Sequence, residues 1–224
     1  MRLTLLVGLE KVMRYAEDFQ QQVSRSIEAS IAVKARLLSS AECISTVAKV
    51  SVVLVDCIQR GNKILLFGNG GSAADAQHIA AEFVGRFAFN RRALAALALS
   101  VNTSCLTAIG NDYGFELVFS RQLEALGRPG DVAIGISTSG NSTNILEAAS
   151  VAKELGLQTI GLTGNGGGKL KHLVDYCVIV PSNDTPRIQE CHILVGHILS
   201  ELVEQTIFHG QAELIEEKSC VSGS

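Results

Sequence analysis

A chain of 224 residues, 47% hydrophobic and 18% charged, is long enough to bury one sizeable core and suits one domain with a helical extension. Its formal charge of −3 leaves no basic footprint and argues against bulk nucleic-acid binding, and no apolar run approaches the roughly 20 residues of a membrane span. With no Trp and only 5% aromatic residues, the core must be filled by Ala, Val, Leu and Ile.

The apolar start Leu3–Leu9 is short, runs straight into Glu10 and Lys11, and has no small-residue cleavage site after it. It does not read as a secretion signal. Met13 is an alternative start, which would leave residues 1–12 little structural role. Six cysteines, at 43, 57, 105, 177, 191 and 220, form no C-x-x-C pair, and all but Cys191 have an apolar neighbour. Reduced thiols, mostly in the core, are expected, and with them a cytoplasmic location.

Residues 10–60 read as two helices. Tyr15, Phe19, Val23, Ile27 and Ile31 recur every fourth residue, Ser39-Ser40 breaks the pattern, and Ile44, Val47, Val50, Leu54 and Cys57 resume it. Gly61 closes the second helix. Five short apolar runs then alternate with helical stretches: Ile64–Phe67, Leu94–Leu99, Val132–Ile136, Thr159–Leu162 and Cys177–Val180. Runs without alternation are buried on both faces, as in a parallel sheet sandwiched by helices. The organisation expected is an N-terminal helical segment (1–60), a doubly wound α/β domain with a five-stranded parallel sheet (61–208), and a frayed tail (209–224).

Three of the strands end in Gly/Ser-rich turns. In Gly68–Ser72, Ser72 with Asp75 reads as a capping box, and the glycine N–H groups at a helix start favour an anion. Ser137–Ser142 places four hydroxyls and a glycine between strand and helix, more than one cap needs, and suits phosphate oxygens. Thr163–Gly168 is either a third such turn or only a connection.

Two helices carry the reactive groups. His78 and Glu82, four apart on an Ala-rich helix, share one face. They suit a divalent metal or proton transfer, or else a plain surface pair, with Glu82–Arg86 as a structural alternative. Thr185 as N-cap and Pro186 at N1 open the last helix. Gln189, Ile193 and His197 form one stripe on it, with Gln189 and His197 about 12 Å apart along the axis. His192 is nearer in sequence to Gln189 and reads more readily as structural.

The segments GNGGSAADAQHIAAEFVGRF (68–87), LTAIGNDYGFE (106–116), ISTSGNS (136–142), IGLTGNGGGKL (160–170) and RIQECHILVGHIL (187–199) resemble the sugar isomerase (SIS) domain family, and within it the phosphoheptose isomerases. The resemblance spans nearly all of residues 60–208 in order. It implies a flavodoxin-like sheet and conversion of sedoheptulose 7-phosphate to D-glycero-D-manno-heptose 7-phosphate for nucleotide-activated heptose. It also implies one zinc per subunit on His78, Glu82, Gln189 and His197. Implied substrate contacts are Asn69, Gly70, Gly71, Glu82, Asn111, Asp112, Ser137, Thr138, Ser139, Ser142 and Gln189. A homotetramer with sites at subunit contacts follows, with residues 1–60 in the oligomer core.

Aldose–ketose isomerisation needs a base at carbon, an acid at oxygen and stabilisation of enolate charge. We assign Glu82 and His197 as the acid–base pair, although a carboxylate committed to zinc is a poorer base. Two departures stand out: Val101-Asn102-Thr103 replaces a Thr-Asp-Thr sequence, and Pro186 replaces an acidic residue found in one branch. Rival readings are a non-catalytic SIS protein that binds a replication initiator, and an isomerase of another sugar phosphate such as arabinose 5-phosphate. Nothing in the first 60 residues is patterned as a DNA-binding helix-turn-helix.

Overall fold

The computed structural model describes the backbone of residues 2–221 and the side chains of residues 15–208. Expectations for residues 1–12, Met13, Cys220 and the side chains of the tail fall outside the latter range.

Two helices come first, α1 (Arg2–Ser39) and α2 (Ala41–Gln59). The break falls where the serine pair predicts it. Ser40 is extended and its Oγ accepts from the Cys43 N–H at 3.2 Å, satisfying one of the helix's unpaired donors. α2 ends in a Schellman turn: Gly61, at φ +80°, donates to the Ile58 carbonyl and Asn62 to that of Cys57.

The sheet contains β1 (Ile64–Gly68), β2 (Ala96–Ala98), β3 (Val132–Ser137), β4 (Gln158–Thr163) and β5 (Tyr176–Ile179). All neighbours are parallel, in the order β2-β1-β3-β4-β5. Every residue of β1 and β3 is buried, which explains their unbroken apolar runs. β2 is shorter than the run Leu94–Leu99: Leu94 turns its N–H to the Phe83 carbonyl, while the Ala95 carbonyl and the Leu99 N–H still bond to β1 at either end.

Helices α3 (Gly71–Val84), α4 (Thr103–Asp112), α5 (Ser120–Leu126), α6 (Thr143–Glu154) and α7 (Thr185–Val221) complete the chain. One sheet face packs on α2, α3 and α7 through Leu54, Ile64, Leu66, Ile79, Phe83 and Leu199. The other packs on α5 and α6 through Leu65, Phe67, Phe119, Leu123 and Ile145. The order reverses direction between β1 and β3, and in such sheets the crevice beyond the strands' carboxyl ends is where ligands bind.

One local expectation is corrected. The first bond of α7 runs from the Ile188 N–H to the Asp184 carbonyl, so Asp184 holds the cap position and Thr185 is already inside the helix. The α7 backbone departs from helical geometry at Phe208 (φ −120°, ψ 20°). On α1, the stripe Tyr15, Phe19, Val23, Ile27 and Ile31 does not enter this chain's core: its members are 48% to 61% exposed, while Val33 and Leu37 are buried.

Candidate active site

The site begins where β1 gives way to α3. Gly70 takes φ +55°, ψ −120°, a conformation that only glycine adopts without strain. It stands at the cap of α3, and no side chain covers the first N–H groups. Ser72 is buried inside the first turn, so the expected Ser72–Asp75 capping box does not form. Burial pushes the Asp75 carboxyl up, against the opposing pull of His78, and its Oδ2 is buried without a hydrogen-bond partner.

The second turn is held by bonds to its own carbonyls and hydroxyls. The Thr138 carbonyl is taken by the Gly164 N–H and Asn165 Nδ2, both at 3.0 Å. The Gly140 carbonyl accepts from Leu170, and Asn141 Oδ1 from the Lys169 N–H. Ser137 and Ser142 hydroxyls lie 3.2 Å apart, and Ser139 Oγ accepts from the Asn141 N–H. The third Gly-rich turn thus buttresses the second.

Asn69 joins the first two turns. It exchanges reciprocal amide bonds of 2.8 and 2.9 Å with Asn144, which is buried at the start of α6. Asn69, Asn144, Thr143, Phe115 and Glu116 line one open hollow. Asn144 and Glu116 were not among the expected site residues; the only signal was that Glu116 ends one of the family-like segments and Asn144 lies two residues past another. Asn111 donates to Asp112 at 2.7 Å at the exposed end of α4. Asn102 caps α4 by accepting from Cys105 at 3.0 Å, a role an Asp would fill as well.

The third part is the seam between α3 and α7, which run side by side. Each helix contributes a glycine where the other comes close. A Cβ on Gly71 would lie 2.5 Å from Gln189 Nε2, and one on Gly196 would lie 2.5 Å from the Ile79 side chain. The second contact brings His197 against His78, with rings 5.0 Å apart and Nε2 atoms at 3.4 Å. His78 Nε2 is 3.1 Å from Glu82 Oε1. One donor atom from each of His78, Glu82 and His197 lies within 4.8 Å of the others. Two imidazoles and a carboxylate are the donor set of an open catalytic zinc site, so the residues fit that ion.

Gln189, the fourth ligand that the resemblance implies, approaches α3 nearer its start. Its amide lies against Gly71, seven residues before His78 on α3 and therefore about 10 Å away along the axis. Arg86 donates to the Ala88 carbonyl and does not pair with Glu82. His192 is fully buried, and burial pushes its imidazole down to about 4. The Thr163 backbone pulls weakly the other way, though neither ring nitrogen reaches a partner in hydrogen-bonding geometry. It is a core residue.

Comparison with known proteins agrees with this geometry. The SIS domain family matches over residues 10–164. A phosphoheptose isomerase from Aneurinibacillus thermoaerophilus is 56% identical over 84% of this chain and 96% of that protein. One from Burkholderia pseudomallei is 54% identical over 84% and 96%. The solved structure of phosphoheptose isomerase from Neisseria gonorrhoeae superposes with a TM-score of 0.79 at 44% identity, covering 84% of this chain and 99% of that one. The chain belongs to the SIS domain family, among the phosphoheptose isomerases.

Proposed function

We propose that this protein interconverts sedoheptulose 7-phosphate and D-glycero-D-manno-heptose 7-phosphate through an enediol. The observation that carries the reading is the meeting of His78, Glu82 and His197 on the α3–α7 seam, in a chain matching phosphoheptose isomerases nearly end to end. The phosphate goes to the hydroxyl turn Ser137–Ser142, with N–H groups at the starts of α3 and α6 adding positive potential. Asn69, Gly70 and Gly71, with Asn111, Asp112 and Gln189, orient the sugar.

Glu82 and His197 form the acid–base pair. One removes a C1 proton and returns it at C2; the other moves a proton between O1 and O2, so no electrons leave the sugar. Zinc held by His78, Glu82 and His197, joined by Gln189 if its amide turns away from Gly71, would supply Lewis acidity to the sugar oxygens. A homotetramer is supported by the exposed stripe of α1, since each such side chain gains about 1.5–3 kcal/mol on full burial. A cytoplasmic location is supported by the free state of Cys43, Cys57, Cys105, Cys177 and Cys191; among the described residues no helix is long and apolar enough to cross a membrane.

Incubation with sedoheptulose 7-phosphate in D2O, followed by NMR, tests the reaction. The aldose phosphate should appear with deuterium at C2, carried there by solvent exchange at the base. Absence of product, with zinc added and without it, would remove the isomerase reading.

A further inference from the structure

Among the ion pairs of the described residues, Arg91–Glu204 is enclosed on both sides, each side chain being 1% exposed. The guanidinium Nε donates to Glu204 Oε1 at 2.7 Å. Its other nitrogens donate to the Glu82 and Phe83 carbonyls, both at 2.8 Å, and to those of Gly85 and Arg92. These include the last carbonyls of α3, which have no partner within the helix and face the negative end of its dipole. The Glu204 carboxylate also accepts from the Phe87 and Ala88 N–H groups at 2.8 and 2.6 Å. Burial would push that carboxyl up, but these two donors and the Arg91 guanidinium outweigh it and hold it below the usual range.

The pair touches both halves of the acid–base machinery. Arg91 grips the backbone of Glu82 itself. Glu204 lies two turns beyond His197 on α7, and the Phe87 it holds packs on the His197 ring at 5.8 Å between centroids. An apolar pair of similar size would serve the packing as well. What such a pair lacks is the means to satisfy the end of α3 and to fasten the Phe87–Ala88 strap to α7.

We propose that Arg91 and Glu204 are positioning residues that fix Glu82 and His197 relative to each other. The inference rests on the isomerase reading, and the test separates the two. Wild type, Arg91→Lys and the double variant Arg91→Met/Glu204→Leu are compared by thermal midpoint, kcat and KM for sedoheptulose 7-phosphate, and zinc(II) titration. The double variant, which leaves the Glu82 and Phe83 carbonyls and the Phe87 and Ala88 N–H groups without these partners, should melt below wild type and keep KM within about 2-fold, while kcat falls about 100-fold. A folded double variant with wild-type kcat overturns the proposal.

If the double variant does not fold, Arg91→Lys decides, because it keeps the charge and loses the fork. A kcat lowered about 10-fold at unchanged KM supports the proposal, and an unchanged kcat overturns it. If the wild type itself makes no product, the isomerase reading fails and zinc(II) affinity decides. Weakening of about 10-fold or more in the variants supports positioning; equal affinity refutes it.

Discussion

Helices α3 and α4 both follow a strand of the parallel sheet, and both carry residues that the family resemblance assigns to substrate, yet they are held differently. α3 buries Ser72, Ala76, Ile79, Ala80 and Phe83, meets α7 at two glycine contacts, and has its end gathered by Arg91. α4 buries none of its own residues. It leaves Val101, Tyr113 and Phe115 more than half exposed around it, and Asn111 and Asp112 bond mainly to each other. A seam set by its own chain can hold reacting atoms to the tolerance that proton transfer demands. In the homotetramer proposed above, a second copy of the chain would cover the α4 end and the stripe of α1.

The sharpest way to break this contrast is to disable the seam without unfolding it. Glu82→Gln and His197→Asn should each lower turnover by at least about 100-fold, read in steady-state assays at saturating substrate. Near-normal rates in either would end that residue's assignment. On the other side, Phe19→Glu with Ile27→Glu should dissociate the proposed homotetramer, visible as a drop in mass by light scattering. An unchanged mass would show that α1 is not where copies meet.

A smaller effect concerns the core of α7. His192 titrates at about 4 in the fold, against an ordinary value of 6.5. Below pH 6.5 the unfolded chain therefore binds a proton that the folded chain refuses. Stability contributed here is complete above pH 6.5 and falls as pH drops towards 4, by up to about 3 kcal/mol. His192→Leu should flatten denaturation midpoints across that window, with little change at pH 7. A curve as steep as wild type would contradict the buried, neutral ring. Smallest is Gly196→Ala: pressing a methyl on Ile79 should cost about 1–3 kcal/mol and weaken zinc(II) binding by parting His197 from His78. A fully stable variant with unchanged metal affinity would count against the close approach.

How much of this was legible in the sequence follows the range of the interactions involved. All five strands were: burial on both faces leaves unbroken apolar runs in β1 and β3, and the edge strands β2 and β5, though only partly buried, keep short apolar runs. The break at Ser39–Ser40 and the close at Gly61 were too, since caps are local chemistry. The cap of α3 was misread: serine and glycine both suit that position, and a positive φ at Gly70 decided between them. Helical pitch alone placed His78 beside Glu82. It could not show that His197 would join them while Gln189 faces Gly71, because that depends on where α7 crosses α3. Arg91–Glu204 and Asn69–Asn144 pair residues far apart in the chain, and neither leaves a local pattern. The α1 stripe was read correctly as periodic, but periodicity does not say whether the partner surface belongs to the same chain.

The most direct test is a crystal structure of Glu82→Gln soaked with sedoheptulose 7-phosphate and zinc(II). The account predicts phosphate oxygens on the Ser137–Ser142 hydroxyls, with C1 and C2 of the sugar facing residue 82 and His197. A sugar bound with those carbons turned away from both residues, in every subunit of the assembly, would contradict it.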